Sequence, residues 1–312
     1  MKIIRGTEPI AVEHPVFAIF GQPGICKTTL GYSMQKPLLL DFDQGAHRAA
    51  NRGDTLMIGS WADVDELMAA RAALDPYATI VVDTVGRCLD LLTADIIEKN
   101  PKDGRGGSLS IQGWGVLKTR FRHWITQLRA MGKDVLLIAH DKEDKDGDTR
   151  IVRPDIAGGS YGEVMKVADF VGYCYMAGKE RVLDFNPTDR WVGKNPAQWT
   201  PFKVPPVAKA TEFMAELVDK GRAALGQISE TSSDATKQIE VWRAKAVTLQ
   251  TADEFNREIP LVKAITTPIV RTQVVKVLVD AAQAKGITFD KGKKAFLAPT
   301  PAAEETADAV GF

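Results

Sequence analysis

The chain predicts an α/β fold, a mostly parallel sheet with covering helices, followed by a small helical C-terminal unit. Three observations carry this. Between residue 16 and about 200, short apolar runs alternate with amphipathic stretches, the pattern of strands buried between helical layers. The runs Val16 to Phe20, Pro37 to Leu40, Ala78 to Val82 and Val135 to Ala139 lead directly into Gly21, Asp41, Asp83 and His140. In an open α/β sheet the carboxyl ends of the strands border the ligand crevice, so chemistry is expected at these four places. Finally, 312 residues with 45% hydrophobic content supply at least one full core.

In chain order, the N-terminal MKIIRGTEPIAVEHP lacks the apolar core of a signal peptide, and the first strand opens at Val16. No run approaches the roughly 18 to 20 apolar residues that cross a bilayer, so no membrane role is expected and the cytoplasm is the expected location. Leu117, Phe121, Trp124 and Leu128 recur at i, i+4, i+7 and i+11 and mark a helix facing the core. After His140, DKEDKDGDTRIVRPD reads as a polar turn into a strand, and a glycine-containing loop precedes a helix near Val164 to Phe170. RVLDFNPTDRW predicts one or two antiparallel edge strands, and a helix is expected at about 209 to 224. In GQISETSSDATKQ, Gly, Ser, Thr and Gln displace apolar residues, so 226–236 is expected to be a linker between a core of 1–225 and a helical unit of 237–297. In that unit Thr251 and Glu254 have capping-box spacing, and a further helix runs from Pro268 to Gly286. The segment 298–312 is rich in Ala and Pro, carries Glu304, Glu305 and Asp308 without Lys or Arg, and is expected to be a disordered acidic tail.

Lys plus Arg and Asp plus Glu each number 40, which excludes a polybasic coat and leaves room for a local patch. The three cysteines, Cys26, Cys88 and Cys174, have no metal or redox spacing, which argues against disulfide frameworks and zinc sites. DKEDKDGD is not a calcium loop: with Gly147 at the sixth position, Lys142 would be first and Arg153 twelfth.

The strongest motif is VFAIFGQPGICKTTLGYSM, an apolar strand entering a glycine-rich loop that ends in Lys27, Thr28 and Thr29 before a helix. That is the setting of a phosphate-binding P-loop, with a glycine-bearing strand-to-helix turn of no chemical purpose as the alternative. Residues Gly21, Gln22, Pro23, Gly24, Ile25, Cys26, Lys27, Thr28 and Thr29 would cradle phosphate through otherwise unpaired backbone N–H groups. Lys27 would reach the β- and γ-phosphates and Thr28 would ligate Mg²⁺. The pattern wants glycine before the lysine, where this chain has Cys26. ATIVVD places Asp83 at a strand end, suited to holding the hydrated metal opposite Thr28. In PLLLDFDQG, Asp41 and Asp43 share a parity and point the same way if the strand continues. Asp43 is the favoured general base toward water, with turn formation or capping as the alternative for both. His140 is a candidate hydrogen-bond partner of the γ-phosphate, with a structural role as the alternative. From Pro101 to Lys133, seven basic residues face the single acid Asp103. Lys102, Arg105 and Trp114 in this stretch suit backbone contact and base stacking with single-stranded nucleic acid, against the alternative of a solvated helix face.

With these residues the chain resembles the RecA-like P-loop NTPases, and within them the phage-encoded nucleotide-binding proteins of the Sak single-strand annealing group. The marks are GQPGICKTT, the DFD after the second strand, IVVD, LLIAH, RPDIAGGS and NPTDRWVGKN. The resemblance implies a RecA-like core over roughly 1–225, ATP and Mg²⁺ as cofactors, Asp43 as catalytic carboxylate and His140 as γ-phosphate sensor. It implies DNA contacts from about 99–115 and 141–163, which brings in Arg150 and Arg153. Gly193, Lys194 and Asn195 look like a lysine-asparagine motif whose cation acts across a subunit interface, implying a homo-oligomer, ring or filament. The implied function is ATP- and Mg²⁺-dependent single-stranded DNA binding that promotes annealing or pairing in phage recombination. DNA-stimulated ATP hydrolysis, slowed by Cys26, would occur in the bacterial host cytoplasm, with a phage single-strand-binding protein as a further partner. The alternatives are a RecA-like motor or helicase loader in phage replication, and a nucleotide-gated scaffold with weak hydrolysis.

Overall fold

The computed structural model describes residues 3–146, 149–156 and 160–298. Gly147 and residues 299–312 of the expected acidic tail lie outside the described residues. Contacts divide the chain into Ala11–Gly226 and a second unit made of Met1–Ile10 with Gln227–Phe312.

The first unit holds β1 (Val16–Gly21), α1 (Lys27–Gly31), β2 (Pro37–Asp41), β3 (Thr55–Met57), α2 (Trp61–Ala69), β4 (Thr79–Asp83) and α3 (Val85–Lys99). A short hairpin of β5 (Gly104–Arg105) and β6 (Ser108–Leu109) precedes α4 (Ile111–Ala130), β7 (Asp134–Asp146), β8 (Thr149–Pro154), α5 (Ser160–Val167), β9 (Phe170–Ala177), β10 (Glu180–Asp184) and β11 (Phe202–Val204). The main sheet runs β11-β10-β9-β1-β7-β4-β2-β3, with β8 paired to the distal half of β7. Strands β9, β1, β7, β4, β2 and β3 are mutually parallel, while β10 and β11 form an antiparallel edge. This is a RecA-like P-loop core of the α/β class.

Period-two alternation sorts the strand side chains onto two buried faces. Val16, Ala18 and Phe20 join Leu40, Val82 and Leu137 beneath α2, α3 and α4. On that side the stripe Leu117, Phe121, Trp124 and Leu128 is buried, and Trp124 meets Trp61 edge to face at 5.4 Å. Phe17, Ile19, Leu39, Val81 and Ile138 face the other way, with Met214, Leu217 and Val218. Gly21 is required where β1 passes β9, since a Cβ there would lie 2.3 Å from the Cys174 carbonyl oxygen.

The register decides which side chains reach the crevice. His140 pairs with Gly21, whereas Asp83 pairs with Ile138 and Asp41 with Asp83. β7 lies between β1 and β4 and runs on past Asp83, with His140 two residues beyond its partner Ile138, so His140 stands above the glycine loop and the Asp83 strand end.

Several sequence expectations differ from the structure: the stretch after His140 expected as a polar turn continues β7 as far as Asp146. The expected helix near Val164 to Phe170 spans Ser160–Val167, and Phe170 opens β9. The expected linker 226–236 is helical: α6 runs unbroken over Phe213–Thr248. Its polar side chains are satisfied on the helix's own backbone, with Thr231 Oγ1 donating to Gln227 O (2.8 Å), Ser233 Oγ to Glu230 O (2.9 Å) and Thr236 Oγ1 to Ser232 O (3.0 Å). A Ser/Thr-rich stretch without proline is thus compatible with a helix whose hydroxyls bond back to carbonyls.

In the second unit, α7 (Ala252–Lys263), α8 (Pro268–Gln283) and a hairpin of β12 (Thr288–Asp290) and β13 (Ala295–Leu297) follow α6. The core there includes Phe255, Val262, Val270, Val274, Leu278 and Phe296. The Thr251–Glu254 capping box forms, and Gly286 closes the last turn with φ 75°. The unit is not purely helical: Asn256 on α7 donates to Phe296 O (2.9 Å) and accepts from Phe296 N (2.7 Å), fastening the hairpin. Among the described residues no helix is long and apolar enough to cross a membrane.

Candidate nucleotide-binding site

The loop from Gly21 to Cys26 leaves β1 and enters α1 with Cys26 as its cap residue, in the left-handed region at φ 69°. Glycine suits that conformation, and a side chain there costs about 1 kcal/mol. The Cys26 thiol lies 3.8 Å from the Gly24 carbonyl oxygen and supplies no cap to the helix. The N–H groups of the first turn of α1 therefore face the cavity without a side-chain acceptor, the arrangement that receives an anion. We expect Cys26→Gly to raise the thermal midpoint by about 2–4 °C, the shift that about 1 kcal/mol produces in a domain of this size. Nucleotide turnover should rise with it. Unchanged turnover in a steady-state assay would mean that this side chain does not limit the loop.

Lys27 is buried, and its ammonium donates to Gly21 O (2.7 Å) and Gln22 O (2.9 Å), folded back on its own loop. Burial lowers its pKa, opposed by the negative charges of Asp83, Asp141 and Asp43. Thr28 Oγ1 donates to Asp83 Oδ2 at 2.6 Å. Burial raises the Asp83 pKa, partly offset by that hydrogen bond. A carboxylate so poorly solvated is a favourable neighbour for a cation. Thr28 keeps its oxygen lone pairs, and no group of three or more His, Cys, Asp or Glu able to hold a metal occurs among the described residues. A divalent ion at this place would take most of its ligands from phosphate and water, as Mg²⁺ prefers. The donors present fit a phosphate chain with Mg²⁺, Thr28 and Asp83 being the residues to hold the ion.

Opposite the loop, the ends of β2, β4 and β7 bring a second group together. His140 Nε2 lies 3.2 Å from Asp43 Oδ2, Thr84 Oγ1 donates to Asp43 Oδ1 at 3.3 Å, and Arg87 Nε is 3.6 Å from the same oxygen. The His140 hydrogen bond is the main cause of a lowered Asp43 pKa, against a partial burial that raises it, with Thr84 and Arg87 assisting. Among the described residues His140 Nδ1 is buried without a partner. A cavity of about 500 Å³ separates the two groups, bordered by Cys26, Lys27, Thr28, Asp43, Asp83 and His140, within the range of ligand clefts.

Within the predicted loop, Pro23, Gly24, Cys26, Lys27, Thr28 and Thr29 line this cavity. Ile25 is instead buried in the core and anchors the loop, and Gln22 contributes its carbonyl to Lys27. The shared parity of Asp41 and Asp43 does not hold because β2 ends at Asp41. Asp41 is buried and accepts from Gly45 N (3.1 Å) and Ala46 N (2.8 Å), the turn-forming alternative, while Asp43 enters the cavity.

Lys194 lies elsewhere, its ammonium donating to Ala168 O (2.5 Å) and Met165 O (3.5 Å) beyond the end of α5, where a cation complements the helix dipole. Asn195 is likewise engaged, with Asn186 and the Trp199 backbone. The basic stretch 101–133 is largely paired. Arg120 binds Asp95 at 2.5 Å, Arg122 and Arg129 reach Glu163 and Asp169, and Lys133 is buried on the carbonyls of Leu74 and Tyr77. Lys102, Arg105 and Lys118 have no ionic partner among the described residues. Trp114, expected to stack on bases, sits in the first turn of α4 and packs partly buried against the core. Arg150 pairs with Glu143 at 3.3 Å, and Arg153 pairs with Asp144 and lies 4.9 Å from the Tyr161 ring centre.

Sequence reasoning missed Thr84, Arg87 and Arg48 at this site. The Thr84 cap on Arg87 N (3.5 Å) was the available signal, a Thr directly after the strand-end acid with a helix behind it.

A strand-loop-helix phosphate cradle facing a strand-end carboxylate, on a mostly parallel sheet, defines a P-loop nucleotide-binding protein of the ATPase type. The chain belongs to the AAA domain family, whose sequence model matches residues 13–197. It is 31% identical over 160 residues to the SPbeta prophage-derived uncharacterized protein YorG of Bacillus subtilis (strain 168), covering 46% of this chain. The match spans about half of that relative, 48% of its length.

Proposed function

We propose that the protein is an ATP- and Mg²⁺-dependent single-stranded DNA-binding protein of the Sak annealing type that hydrolyses ATP and promotes pairing of complementary strands in phage recombination. The observation that carries the nucleotide part is the cavity between the Lys27 loop and the Asp43–His140 pair. Lys27 and the loop amides bind and orient phosphate; Thr28 and Asp83 would hold Mg²⁺, which would supply charge neutralisation. Asp43 accepts a proton from the attacking water, and His140 positions Asp43. For DNA the support is narrower: Lys102 and Arg105, on the exposed segment around the β5–β6 hairpin, and Lys118 are cations without ionic partners among the described residues, and a prophage-derived protein is 31% identical over 160 residues. Nucleotide shared between copies in a ring or filament would couple DNA binding to ATP, provided the Lys194 ammonium leaves its carbonyls for a neighbour. A phage single-strand-binding protein is the expected partner on DNA.

Cys26 favours a second reading, a nucleotide-gated scaffold with weak hydrolysis. A motor or helicase loader would instead unwind directionally or need a protein partner for ATP turnover. The deciding test is fluorescence anisotropy of labelled single-stranded DNA at one fixed salt concentration, without nucleotide and with Mg²⁺-ATP. The expected result is ATP-enhanced binding that weakens with salt. No binding in either state would sink the DNA reading and redirect the search to a protein partner.

A further inference from the structure

We propose that the groove between α7, α8 and the β12–β13 hairpin binds the chain's own residues 299–312. The groove has a volume of about 180 Å³ and an apolar wall that includes Ile259, Leu278, Phe289 and Phe296. Val275, on its edge, is 40% exposed. Three exposed cations, Lys263, Arg271 and Lys294, stand around it, and none has an ion-pair partner among the described residues. Open apolar surface ringed by unpaired cations selects an occupant with both acidic and large apolar side chains.

Residues 299–312 have that chemistry. They carry Glu304, Glu305 and Asp308 with no Lys or Arg, then Val310 and Phe312. They also start in the right place, because the chain leaves β13 at Leu297, directly after Lys294 and Phe296 of the groove itself. An extended chain covers about 3.3–3.6 Å per residue, so this segment can fold back over the groove from its attachment. Tethering holds it at an effective concentration of about millimolar, enough to occupy a site whose free affinity is modest. Val310 and Phe312 supply apolar side chains that suit the groove, and Glu304, Glu305 and Asp308 carry the charge opposite to Lys263, Arg271 and Lys294. The proposal is independent of the nucleotide site.

Hydrogen–deuterium exchange on the 312-residue chain tests it. The variants are Phe312→Ser combined with Glu304→Lys, Glu305→Lys and Asp308→Lys, the groove variant Arg271→Glu, and Arg271→Glu together with the three acid-to-lysine changes. The first two should speed exchange in β12, β13 and α8 about 5- to 10-fold, and the charge-swapped combination should recover part of the protection. Protection in the native sequence should fall as salt rises. Equal exchange in the native and tail-altered chains would overturn the proposal. So would protection that grows with protein concentration, which would assign the groove to the tail of a second copy. The tail changes lie outside the cores described above, so an unchanged thermal midpoint separates lost docking from unfolding.

Discussion

Lys27→Ala is expected to lower ATP turnover by about 10²–10³-fold, the cost of removing one preorganised cationic donor from a site where charge develops. The Lys27 ammonium is buried, and among the described residues it is satisfied by the carbonyls of Gly21 and Gln22. Its truncation therefore leaves the loop without its own cation, which lines the cavity and is held in reserve on the loop's carbonyls. The fold should survive, because Ile25 and Leu30 hold the loop and α1 to the core independently of that ammonium. Steady-state phosphate release, with circular dichroism as the folding control, checks both statements. Turnover within a few-fold of the native chain would show that the loop does not act as a phosphate site.

Asp43→Asn is expected to lower turnover by about 10²–10⁴-fold, the range of a general base, while nucleotide affinity changes little. Asparagine preserves the shape that meets Thr84 and His140 and removes the charge. The sign of the pH dependence follows from the lowered Asp43 pKa, caused first by the His140 hydrogen bond. A depressed carboxylate contributes stability that is present above its unfolded pKa and lost as pH falls through the folded value. Asp43 thus stays ionised through neutral and mildly acidic pH, and its acid limb in the turnover profile lies below the ordinary carboxylate range. His140→Ala removes the cause of the depression and should move that limb upward. A profile unchanged by His140→Ala would detach the histidine from this role.

How much was legible differs between the two halves of the site. Gly21, Lys27, Thr28 and Asp83 were readable because each sits at a strand end or in a contiguous loop, and local pattern reports both. The pairing of Asp43 with His140, 97 residues away, was not readable. It depends on β7 being inserted between β1 and β4 and running past Asp83, a matter of strand order and register. The parity argument for Asp41 and Asp43 failed for a related reason: where a strand ends is set by its partners, and β2 stops at Asp41 so that its carboxylate can hold the turn at Gly45 and Ala46. The polar stretch 226–236 was misread because composition says where apolar contacts are scarce, not whether hydroxyls bond back to a helix.

The basic run from Lys102 to Lys133 shows the same division. A count of charges sees seven cations and one acid; the fold supplies Asp95, Glu163 and Asp169 from α3, α5 and the turn before β9, and buries Lys133. By itself the sequence determined the α/β class, the phosphate loop and the acid opposite it, since these follow from periodicity and short-range motif chemistry. Tertiary structure alone decided which acid faces the cavity, what holds it ionised and which cations remain unpaired, because those properties arise between segments that only strand order and helix packing bring within a few ångströms.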